Sequence, residues 1–279
     1  MSVIKYFLPY GLVRFIQKKW KHNKKMNNEI SLILKKNVEL KNKFLGERCF
    51  IVGNGSSLKH MDLLPLKNEY LYVVNEFIQH ENFYYLKPNF YSEIEPYNAL
   101  INLTKDNPYY IDNYYSRLDK AFYSLNDTIL FFRYDYWKYI NQKNIFRQNK
   151  IYYLKAGGSL SDNDLTDDIS KPNSFMDGVI YSAICNCVYM GFKKIYFIGC
   201  DCDWFRQKTE LHFYRNHECI TTFKTNEEAL LANYKTLRNW RIVSTHFKQR
   251  GIQIYNAGIG GDNDVCERVD YYKLFNKVV

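Results

Sequence analysis

Polar side chains stand at the carboxyl ends of four predicted strands in this sequence of 279 residues. They are Asn54, Asn75, the pair Asp201 and Asp203, and Asn256. In open parallel sheets, ligands bind in the crevice outside these strand ends. Asp201 can accept a hydrogen bond from a sugar hydroxyl or a protonated amine. Any one of these residues alone is better explained as the cap of a strand end, but the four positions together predict a nucleotide site.

A histidine that can act as a general base follows Asp201 in the sequence Leu211-His212-Phe213-Tyr214. An unperturbed imidazole has a pKa of about 6.5, which suits proton transfer near neutral pH. Arg206, Lys208 and Tyr214 have the side chains to steady a leaving phosphate. The alternative for His212 is a structural histidine that is hydrogen-bonded under a lid, and the residue types alone favour that alternative.

The apolar run Cys49–Val52 ends in a glycine turn, Gly53-Asn54-Gly55-Ser56-Ser57. Such a run predicts a buried parallel strand that enters a tight turn. Gly53 and Gly55 would let backbone N–H groups approach a phosphate, and Ser56 or Ser57 would cap a helix whose N-terminus favours an anion. The full G-x-G-x-x-G spacing is absent. A plain strand–turn–helix junction therefore remains the alternative to a phosphate site.

The spacing of Asp201 and Asp203 also resembles the metal-binding pair of many sugar-nucleotide transferases. In those enzymes, carboxylate oxygens hold Mg²⁺ or Mn²⁺. Because Asp201 follows its strand so closely, we favour a structural and hydroxyl-binding role over a metal site. If the protein depends on a metal, Asp201 and Asp203 are the predicted ligands.

The composition and charge of the chain limit the kinds of molecule that we expect it to bind. The chain is 46% hydrophobic, which is enough for a core, and its net charge of +10 suits an anionic partner. It has no zinc-knuckle spacing, RNA-binding aromatic motif or helix-turn-helix pattern, so we predict no nucleic-acid partner. The seven cysteines lack the spacing of a zinc knuckle or redox pair, which favours buried thiols in a reducing cytoplasm. No secretory signal with a cleavage site is evident.

Residues 1–27 combine apolar and aromatic side chains with many lysines. The apolar part is shorter than the ~20 residues that span a bilayer. A basic amphipathic segment of this kind suits an anionic membrane surface. Packing of a helix on the domain or on another subunit is the equal alternative, so self-association is left open. Residues 28–46 are predicted to form a helical connector, which gives an N-terminal extension of 1–46 and a domain of 47–279.

Strands alternate with helices through the predicted domain. Strands are predicted at 49–52, 70–75, 88–92, 128–132, 151–154, 195–199 and 252–256, and long helices at 178–190 and 226–250. The polar segment 157–174 is predicted to be a surface loop. This alternation predicts an α/β fold with a Rossmann-like, mostly parallel sheet flanked by helices.

Five motifs occur in a recognisable order: Ile51–Leu58, Val74–Phe77, Asp177-Gly178, Gly191–Asp201 and His212–Tyr214. In that order they resemble the motifs of a bacterial group. The group comprises the lipooligosaccharide sialyltransferases, which use CMP-sialic acid, together with the motility-accessory-factor and MptE-like proteins. The tail from Ile254 to Phe275 looks more like the MptE-like branch. The resemblance covers roughly residues 47–275, and the order of the motifs makes it more specific than any one of them.

The resemblance implies a Rossmann-type transferase fold in which the first glycine turn holds a cytidine nucleotide. Asn54 and Asn75 match positions that contact the CMP moiety, and the Asp177-Gly178 turn matches a nucleotide-contacting loop. His212 matches the base that deprotonates the acceptor hydroxyl. Direct displacement with inversion and without a required cofactor or metal is implied.

Two departures from the sialyltransferase pattern concern the donor sugar. Asp203 and Trp204 stand where the sialyltransferases have tyrosines that stabilise the leaving phosphate. An asparagine of the third strand is replaced near Tyr91-Ser92. We expect Arg206 or Tyr214 to supply the missing contact.

The sequence therefore predicts a bacterial glycosyltransferase that takes part in the synthesis of a surface glycan, either lipooligosaccharide or capsule. The predicted location is the cytoplasm, with peripheral attachment to the inner membrane. It would move a sugar from a CMP-activated donor to a glycan hydroxyl. The predicted nucleotide-binding residues are Gly53, Asn54, Gly55, Ser56, Asn75, Asp177, Gly178 and Asp201, and the predicted catalytic residues are His212, Arg206 and Tyr214. One alternative is an MptE-like, Mg²⁺-dependent pyrophosphokinase. Another is a non-catalytic nucleotide-binding subunit of a glycan-assembly complex.

Overall fold

The computed structural model describes residues 28–95, 110–203, 205–206, 212–214 and 225–275. The chain forms two compact units, Met1–Ile33 and Leu34–Val279. The membrane-binding segment predicted at 1–27 lies outside the described residues. The architecture given below is that of the second unit.

Eight parallel strands form one sheet in the order β5-β4-β3-β2-β1-β6-β7-β8. The strands are β1 Arg48–Val52, β2 Tyr70–Val74, β3 Phe90–Glu93, β4 Ile129–Arg133, β5 Lys150–Leu154, β6 Lys194–Ile198, β7 Gln253–Asn256 and β8 Glu267–Arg268. The predicted α/β class with a Rossmann-like sheet is confirmed. Seven strands were predicted within two residues of their ends, whereas the two-residue edge strand β8 was not predicted.

Helices flank this sheet. They are α2 Phe83–Leu86, α3 Tyr110–Tyr123, α4 Trp137–Lys143, α5 Val179–Met190 and α6 Asn226–Lys248. A further helix, α1 Asn28–Lys35, begins in the first unit and ends in the second. Short 3₁₀ helices cover Lys36–Leu40, Ser56–His60, Leu64–Asn68, Asn75–Gln79, Tyr134–Tyr136 and Tyr272–Leu274. None of the helices in the described part of the chain is both long enough and apolar enough to cross a membrane.

The central strand β1 is buried on both faces. Phe50, Ile51 and Val52 are each fully inaccessible to solvent, as expected for a strand that has parallel neighbours and helices on either side. Cys49 pairs with Tyr70 of β2 and with Ile195 of β6. The register therefore brings the ends of β1, β2 and β6 to the same edge of the sheet.

Helix α5 lies at the centre of the core. Eight of its twelve residues are buried, so its sequence is apolar on nearly all sides. Gly191 ends the helix in the left-handed conformation, with φ of 101°. A Cβ at this glycine would approach Cα of Leu45 to 3.0 Å, so close packing as well as backbone conformation requires glycine here.

The stretch 34–46 is part of this unit. The buried amide of Asn37 donates to the carbonyls of Tyr153 and Ile169, at 2.8 and 2.7 Å. Leu40 is fully buried, and the ring of Phe44 stacks on Phe192 with 5.2 Å between centroids. These contacts attach the predicted connector to the sheet and its helices.

Two regions differ from the sequence-based expectation. Segment 157–174 is irregular, as predicted, but Leu160 and Ile169 anchor it in the core and only parts of it are at the surface. Helix α3 was not predicted, because tyrosines dominate its sequence. Its buried residues nevertheless recur with helical spacing, at Ile111, Tyr115, Leu118 and Phe122. That spacing is the signal that could have identified the helix.

Candidate active site

A cleft of about 340 Å³ opens at the carboxyl edge of the sheet. The chain adds strands on one side of β1 through β5 and then returns to the other side with β6, so β1 and β6 form the topological switch point. Open α/β sheets bind ligands at such a point. The cleft is lined by Gly53–Gly55, Val74, Asn75, Asp177–Tyr181, Gly199–Asp203, His212, Thr236 and Trp240.

Most of the predicted site residues therefore meet in one place. Gly53, Asn54, Gly55, Asn75, Asp177, Gly178, Asp201, Asp203 and His212 line the cleft. Ser56 lines a neighbouring cleft instead, and Arg206 and Tyr214 do not contribute to the lining of either. Six separate stretches of the chain supply the lining, which is why single motifs were weak predictors of it.

The fourth strand-end residue, Asn256, serves a different purpose. Its side-chain oxygen accepts from the N–H of Gly258 at 2.9 Å, and its amide donates to the carbonyl of Asn263 at 2.7 Å. Asn256 is thus the cap of the loop after β7. The prediction that it joins the other three positions in the site is wrong.

The glycine turn is packed tightly against β6. The N–H of Gly53 donates to the carbonyl of Ile198 at 2.9 Å, and that of Gly55 donates to the carbonyl of Gly199 at 2.8 Å. A Cβ at Gly53 would lie 2.3 Å from the oxygen of Gly199. Both glycines are needed for close approach within the protein, Gly53 to the backbone of Gly199 and Gly55 to the side chain of Asp201. Their N–H groups are already used, so they cannot cradle a phosphate as the sequence suggested.

Asp201 fixes the start of the short helix that follows the turn. Its Oδ2 accepts from the N–H of Ser57 at 2.9 Å, and its Oδ1 accepts from the Ser57 hydroxyl at 2.6 Å. The sequence predicted a helix whose N-terminus favours an anion, as in a phosphate site. The structure has a five-residue 3₁₀ helix instead, and the anion at its start is the Asp201 carboxylate. A Cβ on Gly55 would come within 2.4 Å of that carboxylate.

Asn54 and Asn75 carry acceptors with no hydrogen-bond partner. The amide nitrogen of Asn54 donates to the carbonyl of Val74 at 3.2 Å, which leaves the buried Oδ1 unpaired. Asn75 adopts a left-handed backbone conformation with φ of 48°, which asparagine tolerates better than most residues. Its Oδ1 is also buried and unpaired. Buried amide oxygens are normally paired, so these two oxygens are candidate acceptors for a ligand of the cleft, which both residues line.

His212 is held over the glycine turn by the main chain. Its backbone forms an antiparallel bridge with Gly55, and the N–H of Phe213 donates to the carbonyl of Asn54 at 3.1 Å. The imidazole stacks on the ring of Tyr214, with centroids 5.1 Å apart and planes 20° apart. Burial lowers the pKa of His212 below its usual value, and the nearby charge of Asp201 partly opposes this effect. The imidazole is therefore neutral at neutral pH, as a general base requires.

Asp203 and Arg206 lie in the segment of the chain that follows β6. Burial, and next the charge of Asp201, raise the pKa of the half-buried Asp203. The guanidinium of Arg206 is exposed and pairs with Asp262, with 3.0 Å between Nε and Oδ2. In this arrangement Arg206 faces the loop after β7.

The turn before α5 forms the opposite side of the cleft. Asp177 accepts from the hydroxyl of Ser159 at 2.8 Å and from the N–H of Leu160 at 2.9 Å. Val179, Ile180 and Tyr181, the first residues of α5, line the cleft, and the first N–H groups of a helix have no intrahelical partners. Such a helix start favours an anionic ligand.

Sequence reasoning missed Thr236 and Trp240, which line the cleft from α6. They are four residues apart and lie on one face of the helix. The indole of Trp240 packs on Phe197, with centroids 4.3 Å apart. The helical period of α6 was visible, but nothing in the sequence indicated which of its faces reaches the site.

The carboxylates in the described part of the chain do not assemble into a metal site. No group of three histidine, cysteine, aspartate or glutamate side chains there has the arrangement of a metal centre. Both oxygens of Asp201 already accept hydrogen bonds from Ser57. Asp201 and Asp203 as the ligands of a metal stay a prediction.

Comparison with known proteins gave similar solved structures, of which two are described here. No family model matches the chain, and no curated protein matches it. A MAf glycosyltransferase from Magnetospirillum magneticum AMB-1 is 12% identical with a TM-score of 0.42, over 88% of this chain and 38% of that one. The present chain thus spans well under half of that protein. The sialyltransferase CstII from Campylobacter jejuni, in complex with the substrate analogue cytidine-5'-monophosphate, is 16% identical with a TM-score of 0.39, over 84% of this chain and 88% of that one. These two proteins carry the names of the groups that the order of motifs resembles.

Proposed function

We propose that the protein is a glycosyltransferase that moves a sugar from a CMP-activated donor to a glycan hydroxyl, with inversion. One observation carries the proposal. His212, whose pKa burial lowers, lines the same cleft as Asn54 and Asn75, whose side-chain oxygens have no hydrogen-bond partner. The order of the sequence motifs supports the same reading.

The nucleotide is assigned to the side of the cleft between β1, β2 and α5. The amide oxygens of Asn54 and Asn75 suit the hydrogen-bond donors of a nucleoside, namely the ribose hydroxyls and the exocyclic amine of cytosine. The phosphate is assigned to the start of α5, beside Gly178 and Val179, because the N-terminus of a helix favours an anion. Gly53 and Gly55 shape this side of the cleft through their packing on β6.

The proposed reaction is a single displacement at the anomeric carbon of the donor. His212 takes the proton of the acceptor hydroxyl while that oxygen attacks the carbon from the side opposite the phosphate. The bond between the carbon and the phosphate oxygen breaks, and its electron pair leaves with CMP. The start of α5 stabilises the departing charge. In this scheme Tyr214 orients the imidazole by stacking, and Arg206 reaches the phosphate only if it leaves Asp262.

The pyrophosphokinase alternative gains no support from the geometry, because Asp201 is committed to Ser57. No resident cofactor or metal is part of the proposal. We also propose a role in lipooligosaccharide or capsule synthesis. Residues 1–27 are proposed to attach the protein to an anionic inner-membrane surface. Both proposals follow from the sequence.

A thermal-shift panel of CMP, CDP, UDP, GDP and ATP, each with and without Mg²⁺, tests the proposal. A ligand at a hundredfold excess over its Kd adds about 2.7 kcal/mol to the free energy of unfolding. We expect stabilisation by CMP or CDP without metal. Stabilisation by ATP, UDP or GDP only with Mg²⁺ would exclude the CMP-donor assignment. No shift with any nucleotide would favour a protein that does not bind nucleotides at all.

A further inference from the structure

A ring in the segment that carries His212 packs on the element after β2. The ring of Phe213 lies against Phe77, with centroids 6.0 Å apart and planes at 67°. It also lies against the imidazole of His80, with centroids 5.1 Å apart and planes at 62°. Both separations and both angles are those of edge-to-face aromatic pairs. Phe213 is half-buried in this position.

Phe77 and His80 together form a rigid ring platform. Phe77 is fully buried in the 3₁₀ helix Asn75–Gln79. His80 follows this helix and stacks on Phe77, with centroids 5.1 Å apart and planes 9° apart. Its Nδ1 accepts from the N–H of Asn82 at 3.2 Å, and burial lowers the pKa of the imidazole. The ring of His80 is therefore neutral at neutral pH and fixed in orientation.

The same 3₁₀ helix also reaches the cleft, because its first residue, Asn75, is part of the lining. Main-chain contacts tie the His212 segment to the glycine turn. His212 is bridged to Gly55, and the N–H of Phe213 donates to the carbonyl of Asn54. The packing of Phe213 on the ring platform adds a side-chain contact, which links this segment to the element that carries Asn75.

We propose that Phe213 is a positioning residue, whose packing on the ring platform holds the imidazole of His212 at the cleft. This inference rests on the proposed function, in which His212 takes the proton of the acceptor hydroxyl. Without the ring, the segment keeps its main-chain contacts and loses its side-chain anchor, so the imidazole gains freedom to move and access to solvent. A displacement of about 1 Å at a reacting group can cost about a hundredfold in rate.

Two variants of Phe213 and one matched control test the proposal. Phe213→Ala removes the ring, and Phe213→Tyr keeps it. The control is Phe275→Ala. Phe275 is also half-buried and packs on two rings, those of Phe50 and Tyr271, with centroids 5.5 and 5.0 Å away. It lies under the guanidinium of Arg48, the first residue of β1, and therefore near the edge of the sheet opposite the cleft.

The pKa of His212 is the first readout, because it reports the burial of the imidazole whether or not the protein is a transferase. NMR titration of the histidine resonances of the full chain measures it, and His212→Asn identifies the resonance. We expect this pKa to rise toward about 6.5 in Phe213→Ala and to keep its wild-type value in Phe213→Tyr and Phe275→Ala. No rise in Phe213→Ala, or an equal rise in Phe275→Ala, would overturn the proposal.

Transfer kinetics separate this inference from the proposed function, with CMP-sialic acid as the donor probe and lactose as the acceptor probe. We expect Phe213→Ala to lower kcat about tenfold to hundredfold with an unchanged KM for the donor, and Phe213→Tyr to restore kcat. A wild-type kcat in Phe213→Ala with a large loss in His212→Asn would remove the positioning role and leave the base in place. A raised pKa in Phe213→Ala with no effect of His212→Asn on kcat would do the reverse. Absence of turnover in the wild type would count against the proposed function, and the pKa of His212 would then decide this inference.

Discussion

Asp201 engages Ser57 through both carboxylate oxygens, one on the N–H at 2.9 Å and one on the hydroxyl at 2.6 Å. This contact links the end of β6 to the turn after β1, across the switch point of the sheet. The same carboxylate lies against Gly55 and borders both clefts. From the sequence, Asp201 was considered as a metal ligand or as an acceptor for a sugar hydroxyl. In the structure, its carboxylate positions the turn that forms the floor of the site.

The first prediction concerns Asp201→Asn. An amide can accept from Ser57 at only one atom, so one bond to a charged acceptor is lost. Such bonds contribute about 1.5–3 kcal/mol each, and we expect the free energy of unfolding to fall by that order. Urea unfolding of Asp201→Asn against Asp177→Asn, an exposed carboxylate of the same cleft, measures it. Equal stability of the two variants would mean that the contact with Ser57 does little for the fold.

The second prediction concerns Gly55→Ala. The added Cβ would sit 2.4 Å from the Asp201 carboxylate, whereas the same change at Gly260 meets only ordinary contact. Overpacking of this kind typically costs about 1–3 kcal/mol. We expect Gly55→Ala to lower the melting temperature and weaken CMP binding, while Gly260→Ala does neither. Comparable behaviour of the two alanine variants would show that the turn can relax around the new methyl group.

The strands of the sheet could be predicted from the sequence because buried parallel strands are short apolar runs between glycines and polar residues. Cys49–Val52 and Ile195–Ile198 illustrate this. Helix α3 was not predicted because its tyrosines obscured its apolar face. Strand β8 was not predicted because Glu267 and Arg268 form an exposed edge pair with no apolar pattern.

The sequence predicted which residues line the site better than it predicted the contacts that those residues make. Strand topology alone brings Asn54, Asn75 and Asp201 to one edge, so their convergence could be foreseen. That the N–H groups of Gly53 and Gly55 are used by β6 could not be foreseen, since it depends on the spacing of two backbones. The contribution of Trp240 depends on the angle at which α6 packs. The spacing of two backbones and the packing angle of a helix leave no pattern in the local sequence.

The third prediction uses Glu93 at the end of β3. This carboxyl group is 3% exposed, and it accepts from the hydroxyl of Tyr114 at 2.6 Å and from the N–H of Glu95 at 2.8 Å. Burial raises its pKa to about 7. The folded state thus favours the protonated form. The associated stability is complete below the unfolded pKa near 4.5 and is lost as the pH rises through about 7.

Glu93→Gln removes this titration while it keeps a neutral group of the same shape. We expect the variant and the wild type to have similar stability at pH 4.5 and the variant to be the more stable at pH 8, by an amount of the order of 3 kcal/mol at most. Burial lowers the pKa of His80, His212 and His246, which makes stability rise with pH in both proteins and cancels in the difference. A difference that does not vary with pH would mean that folding leaves the pKa of Glu93 unchanged.

The last prediction concerns His212 as the base. Replacement by asparagine keeps a polar side chain but removes the proton acceptor, and general-base catalysis typically contributes 10²–10⁴-fold, so we expect a loss of about that size in kcat. Binding of CMP should be unchanged, because the nucleotide is assigned to Asn54, Asn75 and α5. His246 provides the control. It is also half-buried with a lowered pKa, but it pairs with Asp167 rather than lining the cleft.

The pH profile distinguishes a base from a merely structural histidine. Only the neutral imidazole can take the proton, and burial lowers the pKa of His212. The rate of sugar transfer should therefore be constant through neutral pH and fall only below pH 6.5, tenfold per pH unit once His212 is protonated. In His212→Asn the residual rate should lack this acidic limb, whereas His246→Asn should retain it. An acidic limb that survives in His212→Asn would assign the proton transfer to another group, and Asp203, whose pKa is raised, would be the next candidate.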